Sequence, residues 1–264
     1  SRTTSGTTTM SDVGDLLSRI GLRAAADAVH ALLSHAQKSK MSHRVLLEQL
    51  VELELRERDA RNLLRRTKAA TLGTFKPLDQ FEWTHPKQID RERYEHLLSL
   101  DFIENAENVL LRGPAGVGKS TLAQNLGLRA LEKGYTVRFS TLNAALADLL
   151  RQESLPATAR RLKRYVAPDL LILDELGYIP CDRRAADLLF HIVSRRHEQR
   201  SIVITTNLPF KQWGTVFQDA SCLGPLIDRF AQDCHVLDIE AESYRRRKAP
   251  PGPRPTRETR KRRR

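Results

Sequence analysis

Apolar positions along the chain change their spacing near residue 88, and two kinds of structure follow. From Ser11 to Ala70 they recur at the three-to-four-residue interval of helices packed by one face. Ser11 can cap a first helix carrying Leu16, Leu17 and Ile20, which Gly21 would break. Ala24–His35 is an alanine-rich second segment. Ser42 can cap a longer third helix with an apolar face of Val45, Leu46, Leu50, Val51 and Leu53. From residue 88 onward, short apolar runs alternate with longer periodic stretches. The runs predict strands at Val109–Arg112, Tyr135–Ser140, Leu170–Asp174, Ser201–Thr206 and His235–Ile239. Helices are predicted over 118–133 (ended by Gly134), 142–151, 158–166, 182–199 (capped by Asp182) and 221–231. This alternation is that of an α/β fold, a parallel sheet flanked by helices, with a small all-α domain before it. Ligands of such sheets bind at the carboxyl ends of the strands.

The resulting division is a helical N-terminal domain over 11–70, a linker over 71–87 and an α/β domain over 88–244. The linker carries Gly73, Pro77 and Pro86. Its Phe75, Phe81 and Trp83 are expected to pack on the core of the next domain, the alternative being a wall for a nucleotide base. Residues 1–10 are polar, have no apolar segment of a secretory signal, and read as a disordered leader or cloning remnant with Met10 a native start. No apolar run approaches the ~18 residues needed to cross a bilayer, so no membrane association is expected. Cys181, Cys222 and Cys234 form no Cys-x-x-Cys pair, which fits a protein of the reducing cytoplasm.

Charge changes the picture at one end. The formal net charge is +12, and residues 245–264 hold eleven Lys/Arg against one Glu, a balance of +10 that leaves +2 for residues 1–244. A proline-rich basic tail of this kind is expected to be disordered and suits a polyanion, most simply the backbone of nucleic acid. Two internal stretches are also basic. Arg56–Lys68 ends the third helix with Arg56, Arg58, Arg61, Arg65, Arg66 and Lys68, which suits DNA, a neighbouring subunit or plain solvent. Arg160, Arg161, Lys163 and Arg164 precede the Leu170 strand and are candidate DNA contacts.

The chemistry concentrates after the first strand. Val109–Leu111 leads into Gly113-Pro114-Ala115-Gly116-Val117-Gly118-Lys119-Ser120-Thr121 and then a helix, the phosphate-binding loop in its strand–loop–helix context. Glycines let the backbone turn its N–H groups inward as an anion nest, and the helix adds its partly positive N-terminus. Lys119 suits the β- and γ-phosphates of ATP, and the Ser120 hydroxyl suits Mg²⁺. Leu170–Leu173 then delivers Asp174 and Glu175 at a strand end. The first suits the metal shell, and the second suits activation of a water. Ile202–Ile204 similarly delivers Thr205, Thr206 and Asn207. The Asn207 side chain suits a γ-phosphate or the attacking water, or else simply ends the strand. Arg229, within Leu226–Phe230, is either a finger for another subunit's site or the partner of Asp228.

Taken together, Gly113–Ser120, Leu173-Asp-Glu-Leu-Gly-Tyr178, Ile204-Thr-Thr-Asn-Leu-Pro-Phe210 with Trp213, Asp228-Arg229 and Glu242-Ser-Tyr-Arg245 resemble the IstB family, the ATPase helpers of insertion-sequence transposons, over roughly residues 11–248. Near relatives are the DnaC helicase loaders, and both belong to the AAA+ ATPases. The resemblance implies an AAA+ core with a helical N-terminal domain. It implies Asn207 at the sensor-1 position, Arg229 as the trans-acting finger and Arg245 as the sensor-2 arginine. It further implies an ATP-driven homo-oligomer on duplex DNA, with ATP sites completed between subunits, that stimulates an IstA-like transposase. Departures from the family pattern are Ala115, Val117 and Ser120 in the loop, Gly224-Pro225 before Arg229, and Ala241 before Glu242. A helicase loader of DnaC type is the alternative. A small-molecule kinase would leave Glu175, Asn207 and the basic tail without a role.

Overall fold

The computed structural model describes residues 13–24, 26–83, 88–178, 180–217 and 220–240. The chain forms two compact units, Ser1–Arg66 and Thr67–Arg264. The first holds α1 (Val13–Arg19), α2 (Ala26–Lys38) and most of α3 (His43–Ala70). Ser42 starts α3, its Oγ accepting the Val45 N–H at 3.4 Å. Glu54, buried on α3, accepts the Arg23 N–H at 2.6 Å and the Arg61 guanidinium at 3.1 Å. Burial pushes its carboxyl up, but the backbone N–H groups of Arg23 and Ala24 and the charges of Arg61 and Arg58 outweigh that and hold it below the usual range. Arg56 pairs with Glu52 at 3.1 Å and Arg58 with Glu54 at 3.3 Å. That part of the basic surplus on α3 is balanced within the unit.

The second unit contains β1 (Gln88–Ile89), α4 (Arg91–Leu97), α5 (Asp101–Glu104), β2 (Asn108–Arg112), α6 (Lys119–Glu132), β3 (Val137–Thr141), α7 (Leu142–Leu150), α8 (Leu155–Val166), β4 (Leu170–Leu176), α9 (Arg183–Arg196), β5 (Ser201–Thr206), α10 (Leu223–Ala231) and β6 (Cys234–Glu240). The strand order is β1-β6-β2-β5-β4-β3. Strands β2 to β6 are parallel, and β1 pairs antiparallel with β6. The chain leaves β2 for the far edge strand β3, and later reaches β6 on β2's other side. The loop after β2 therefore opens where the strand order reverses.

The apolar runs of β4 and β5 do not alternate because both faces are covered. Leu170–Leu173 and Ile202–Ile204 are fully buried, and the cluster around them includes Leu146 of α7, Leu189 and Ile192 of α9, Trp213 and Phe230. Opposite the carboxyl ends, Arg196 is wholly buried and donates to five carbonyls: Tyr165, Val166, Pro168, Asp169 and Ser201. Burial brings its guanidinium down to about 9. These bonds fasten the end of α8 to the starts of β4 and β5.

The structure departs from the periodicity at short elements. β1 is too brief to show a pattern, and α4 is a two-turn helix announced only by its cap, Asp90, which accepts the Arg93 N–H at 2.8 Å. α8 starts earlier than expected because Ser154 caps it, accepting the Ala157 N–H at 3.3 Å. The stretch after Ala70 lies along α6: Gln124 Nε2 donates to Leu72 O at 2.6 Å, and Asn125 Nδ2 donates to Lys76 O at 3.0 Å.

Candidate functional site

The loop between β2 and α6 is shaped by what surrounds it. A Cβ at Gly113 would stand 2.3 Å from the carbonyl oxygen of Ile239 on β6, so no side chain fits there. Gly118 has φ +98°, and a Cβ on it would meet Phe81 at 2.7 Å. The chain thus turns into α6 through a left-handed residue with an aromatic ring against it. Lys119 is buried, and its Nζ donates to the carbonyls of Gly113 (2.8 Å) and Pro114 (2.7 Å). The ammonium is held inside the loop it is expected to serve. Ser120 Oγ donates to Asp174 Oδ1 at 2.9 Å. A hydroxyl and a carboxylate that already touch are a suitable pair of oxygens for a hard divalent cation.

Pairing of β5 with β2 (Leu111 with Thr205, Arg112 with Thr206) and with β4 brings the other strand ends to this loop. Thr205 Oγ1 donates to the same Asp174 Oδ1. Glu175 is exposed, has φ +65°, and its N–H donates to Thr205 Oγ1 at 3.0 Å. Thr205 was read from sequence only as a strand-end residue. Its contact with Asp174 follows from strand pairing and leaves no local signal.

A cavity of about 390 Å³ opens over the loop. Residues 115–121, Glu175 and Thr205 line one part, while Phe75, Phe81 and Tyr178 form aromatic walls. The expectation of ordinary core packing is corrected for Phe75 and Phe81, because the chain after Ala70 runs along α6 and presents them to the cavity. Trp83 is the packing residue of the three, with ring centroids 4.9 Å from Phe81 and 5.6 Å from Tyr94.

Asn207 is exposed beyond β5 and does not line the cavity. Its Oδ1 lies near Gly177, where a Cβ would stand 3.0 Å from it. Arg229 is also outside the cavity lining. It donates to Ser194 Oγ at 2.9 Å and lies 4.8 Å over the Phe190 ring, so α9 rather than Asp228 holds it. Arg245 and the basic tail lie outside the described residues.

Of the four basic residues of α8, Arg160, Arg161 and Arg164 line one hollow and Lys163 does not. Arg161 makes a two-pronged ion pair with Asp148 of α7 (2.8 and 2.6 Å), and Tyr165 OH donates to the same carboxylate at 2.7 Å. The Arg161 hydrogen bond leads in holding the Asp148 carboxyl down to about 2, and burial raises the Tyr165 hydroxyl to about 12. Arg161 thus bridges α7 and α8, while its side chain also lines the hollow beside α8. Lys163 is exposed and lines neither neighbouring hollow. Arg160 and Arg164 are exposed, and with Arg161 they line a hollow of about 270 Å³. Arg164 is shared with a second, of about 280 Å³, that adds Arg138 and Arg151. Arg138 is on β3, far from α8 in sequence. Burial and then the charge of Arg164 bring its guanidinium below the usual value, as expected where cations gather.

Among the described residues no helix is long and apolar enough to cross a membrane. Comparison with known proteins agrees with the geometry. The family described as IstB-like ATP binding protein matches residues 15–250. An insertion sequence IS21 ATP-binding protein of Pseudomonas aeruginosa is 37% identical over 236 residues, covering 89% of both chains. An IS5376 ATP-binding protein of Geobacillus stearothermophilus is 32% identical, covering 87% of this chain and 91% of its own. Among solved structures, DnaI aligns with a TM-score of 0.53 at 16% identity, over 62% of this chain and 90% of its own. AMPPCP-bound DnaA from Aquifex aeolicus aligns with a TM-score of 0.52 at 20% identity, over 64% of this chain and 51% of its own. With the strand order, the loop and the acid pair, these matches establish an AAA+ fold, and the chain belongs to the IstB-like ATP-binding protein family of insertion sequences.

Proposed function

We propose that this protein binds and hydrolyses ATP with Mg²⁺, assembles as an oligomer on duplex DNA in the ATP state, and in that state stimulates the transposase of its insertion sequence. The observation that carries the reading is the convergence of Lys119, Ser120 and Glu175 at one cavity over the phosphate loop, with Asp174 hydrogen-bonded to Ser120 behind it. Lys119 exchanges its two loop carbonyls for phosphate oxygens. Ser120 and Asp174 hold the metal ion, which supplies charge neutralisation on the phosphates. Glu175, exposed at the cavity, takes a proton from the attacking water, and Asn207 helps to place that water. Phe75 and Phe81 wall the base. Arg229 lies outside its own cavity, which favours service to a neighbouring subunit's site, and Arg245 acts as the sensor-2 arginine that the family resemblance implies. A homo-oligomer follows from that division of labour.

The DNA surface is the pair of hollows lined by Arg138, Arg151, Arg160, Arg161 and Arg164, with Arg161 paired to Asp148 and Lys163 beside them. Guanidinium groups gathered there suit phosphates, and no base-reading pattern accompanies them. Two variants test the nucleotide reading. Lys119→Ala should lose ATP affinity. Glu175→Gln should keep ATP affinity and DNA-dependent assembly while turnover drops by about 10² or more. Undiminished turnover in Glu175→Gln would remove it from the role of base.

A further inference from the structure

β4 and β5 fall out of step where the acid pair sits. Leu173 pairs with Ile204, yet the next pair is Leu176 with Thr206. Three steps on β4 match two on β5, so β4 carries one extra residue, a β-bulge at Asp174–Glu175 facing Thr205. Glu175 takes a left-handed backbone at φ +65°, which a non-glycine residue adopts only where its surroundings enforce it. A bulge also costs the strand a ladder partner, and the buried groups need others. The Thr205 hydroxyl supplies them in both directions. It accepts the Glu175 N–H at 3.0 Å and donates to Asp174 Oδ1. Thr206 repeats the device one residue on, its Oγ1 donating to Leu176 O at 2.8 Å and accepting the Leu208 N–H at 3.0 Å.

We infer that Thr205 is a positioning residue for ATP hydrolysis, its single hydroxyl aiming the metal-binding carboxylate of Asp174 and the backbone that carries Glu175. The inference builds on the ATPase reading above. One hydroxyl sets two roles at once. Together with Ser120 it holds the carboxylate rotamer from which the metal shell would be built. It also closes the bulge that turns Glu175 out of the sheet and into the cavity. Binding of the nucleotide's phosphates depends on the loop and Lys119 instead. Loss of the hydroxyl should therefore fall on the chemical step and on metal dependence, and spare nucleotide affinity.

Thr205→Val keeps shape and removes both hydrogen bonds, while Thr205→Ser keeps both. In Thr205→Val, kcat should fall tenfold or more, half-activation by Mg²⁺ should need a severalfold higher concentration, and the affinity for a fluorescent ATP analogue should stay within about threefold. Thr205→Ser should restore kcat to within about twofold. Without nucleotide, amide hydrogen exchange at Glu175 should speed up at least tenfold in Thr205→Val and stay protected in Thr205→Ser. Wild-type kcat in Thr205→Val, or equal losses in both variants, would overturn the inference. So would unchanged exchange at Glu175. If Thr205→Val does not fold, Thr205→Cys takes its place, and its weak S–H donor should give an intermediate rate. A wild-type protein that exchanges as expected but never turns over ATP would instead bring down the ATPase reading, and this catalytic role with it.

Discussion

Separating two arginines that lie three residues apart on α8 gives the sharpest test of the DNA surface. Arg160, Arg161 and Arg164 all line the hollow beside α8, but the charge of Arg161 is already paired with Asp148 at 2.6 and 2.8 Å. Each phosphate neutralised contributes about −0.9 to the slope of log affinity against log salt. Converting Arg160 and Arg164 to Gln should therefore flatten that slope by about 1.8 for each subunit engaging both. Between 50 and 200 mM salt, this corresponds to a loss of about 12-fold in salt sensitivity per such subunit. Arg161→Gln should leave the slope unchanged and instead lower the melting temperature, because it unties α7 from α8. The assay is fluorescence anisotropy of a labelled duplex across a salt series, in ATP, paired with thermal melts. An unchanged slope in the double variant, or a flattened slope in Arg161→Gln, would refute the division between exposed and committed arginines.

Two further outcomes concern stability. Arg196→Met strips donors from five carbonyls at the base of the sheet and should cost about 3–5 kcal/mol, lowering the melting temperature by roughly 10 °C; a shift under about 2 °C would show that those carbonyls find other partners. Asp148 has its pKa held down to about 2, chiefly by the Arg161 hydrogen bond, so its contribution is full above the unfolded value near 3.9 and is lost as pH falls toward 2. The melting-temperature advantage of wild type over Asp148→Asn should shrink between pH 5 and 2, and an advantage independent of pH would assign the effect to packing.

What was legible in the sequence was whatever is contiguous. Gly113–Ser120 and Leu170–Glu175 carry their chemistry in runs whose residues act together, and four of the five apolar runs fall within the parallel strands, Tyr135–Ser140 beginning two residues before β3, because doubly covered strands need no alternation. Features made by pairing were not legible. Thr205 reaches Asp174 across 31 residues because β5 lies beside β4 and β4 bulges there. Arg138 joins Arg164 only through the packing of α8 near β3. Arg161 looked like its neighbours until α7 supplied Asp148, 13 residues earlier. Phe75 and Phe81 belong to a stretch without periodicity, and its course along α6 is set by side-chain bonds from Gln124 and Asn125.

The link between the ATP site and DNA is tested most directly by anisotropy with equal-length duplex and single-stranded DNA, each in ATP, in ADP and without nucleotide, at two salt concentrations. Tight, salt-sensitive duplex binding that requires ATP, persists in Glu175→Gln and disappears in Lys119→Ala is the expected result. Preference for single strands would point to the chemistry of a helicase loader. No DNA binding in any nucleotide state would contradict the proposed function.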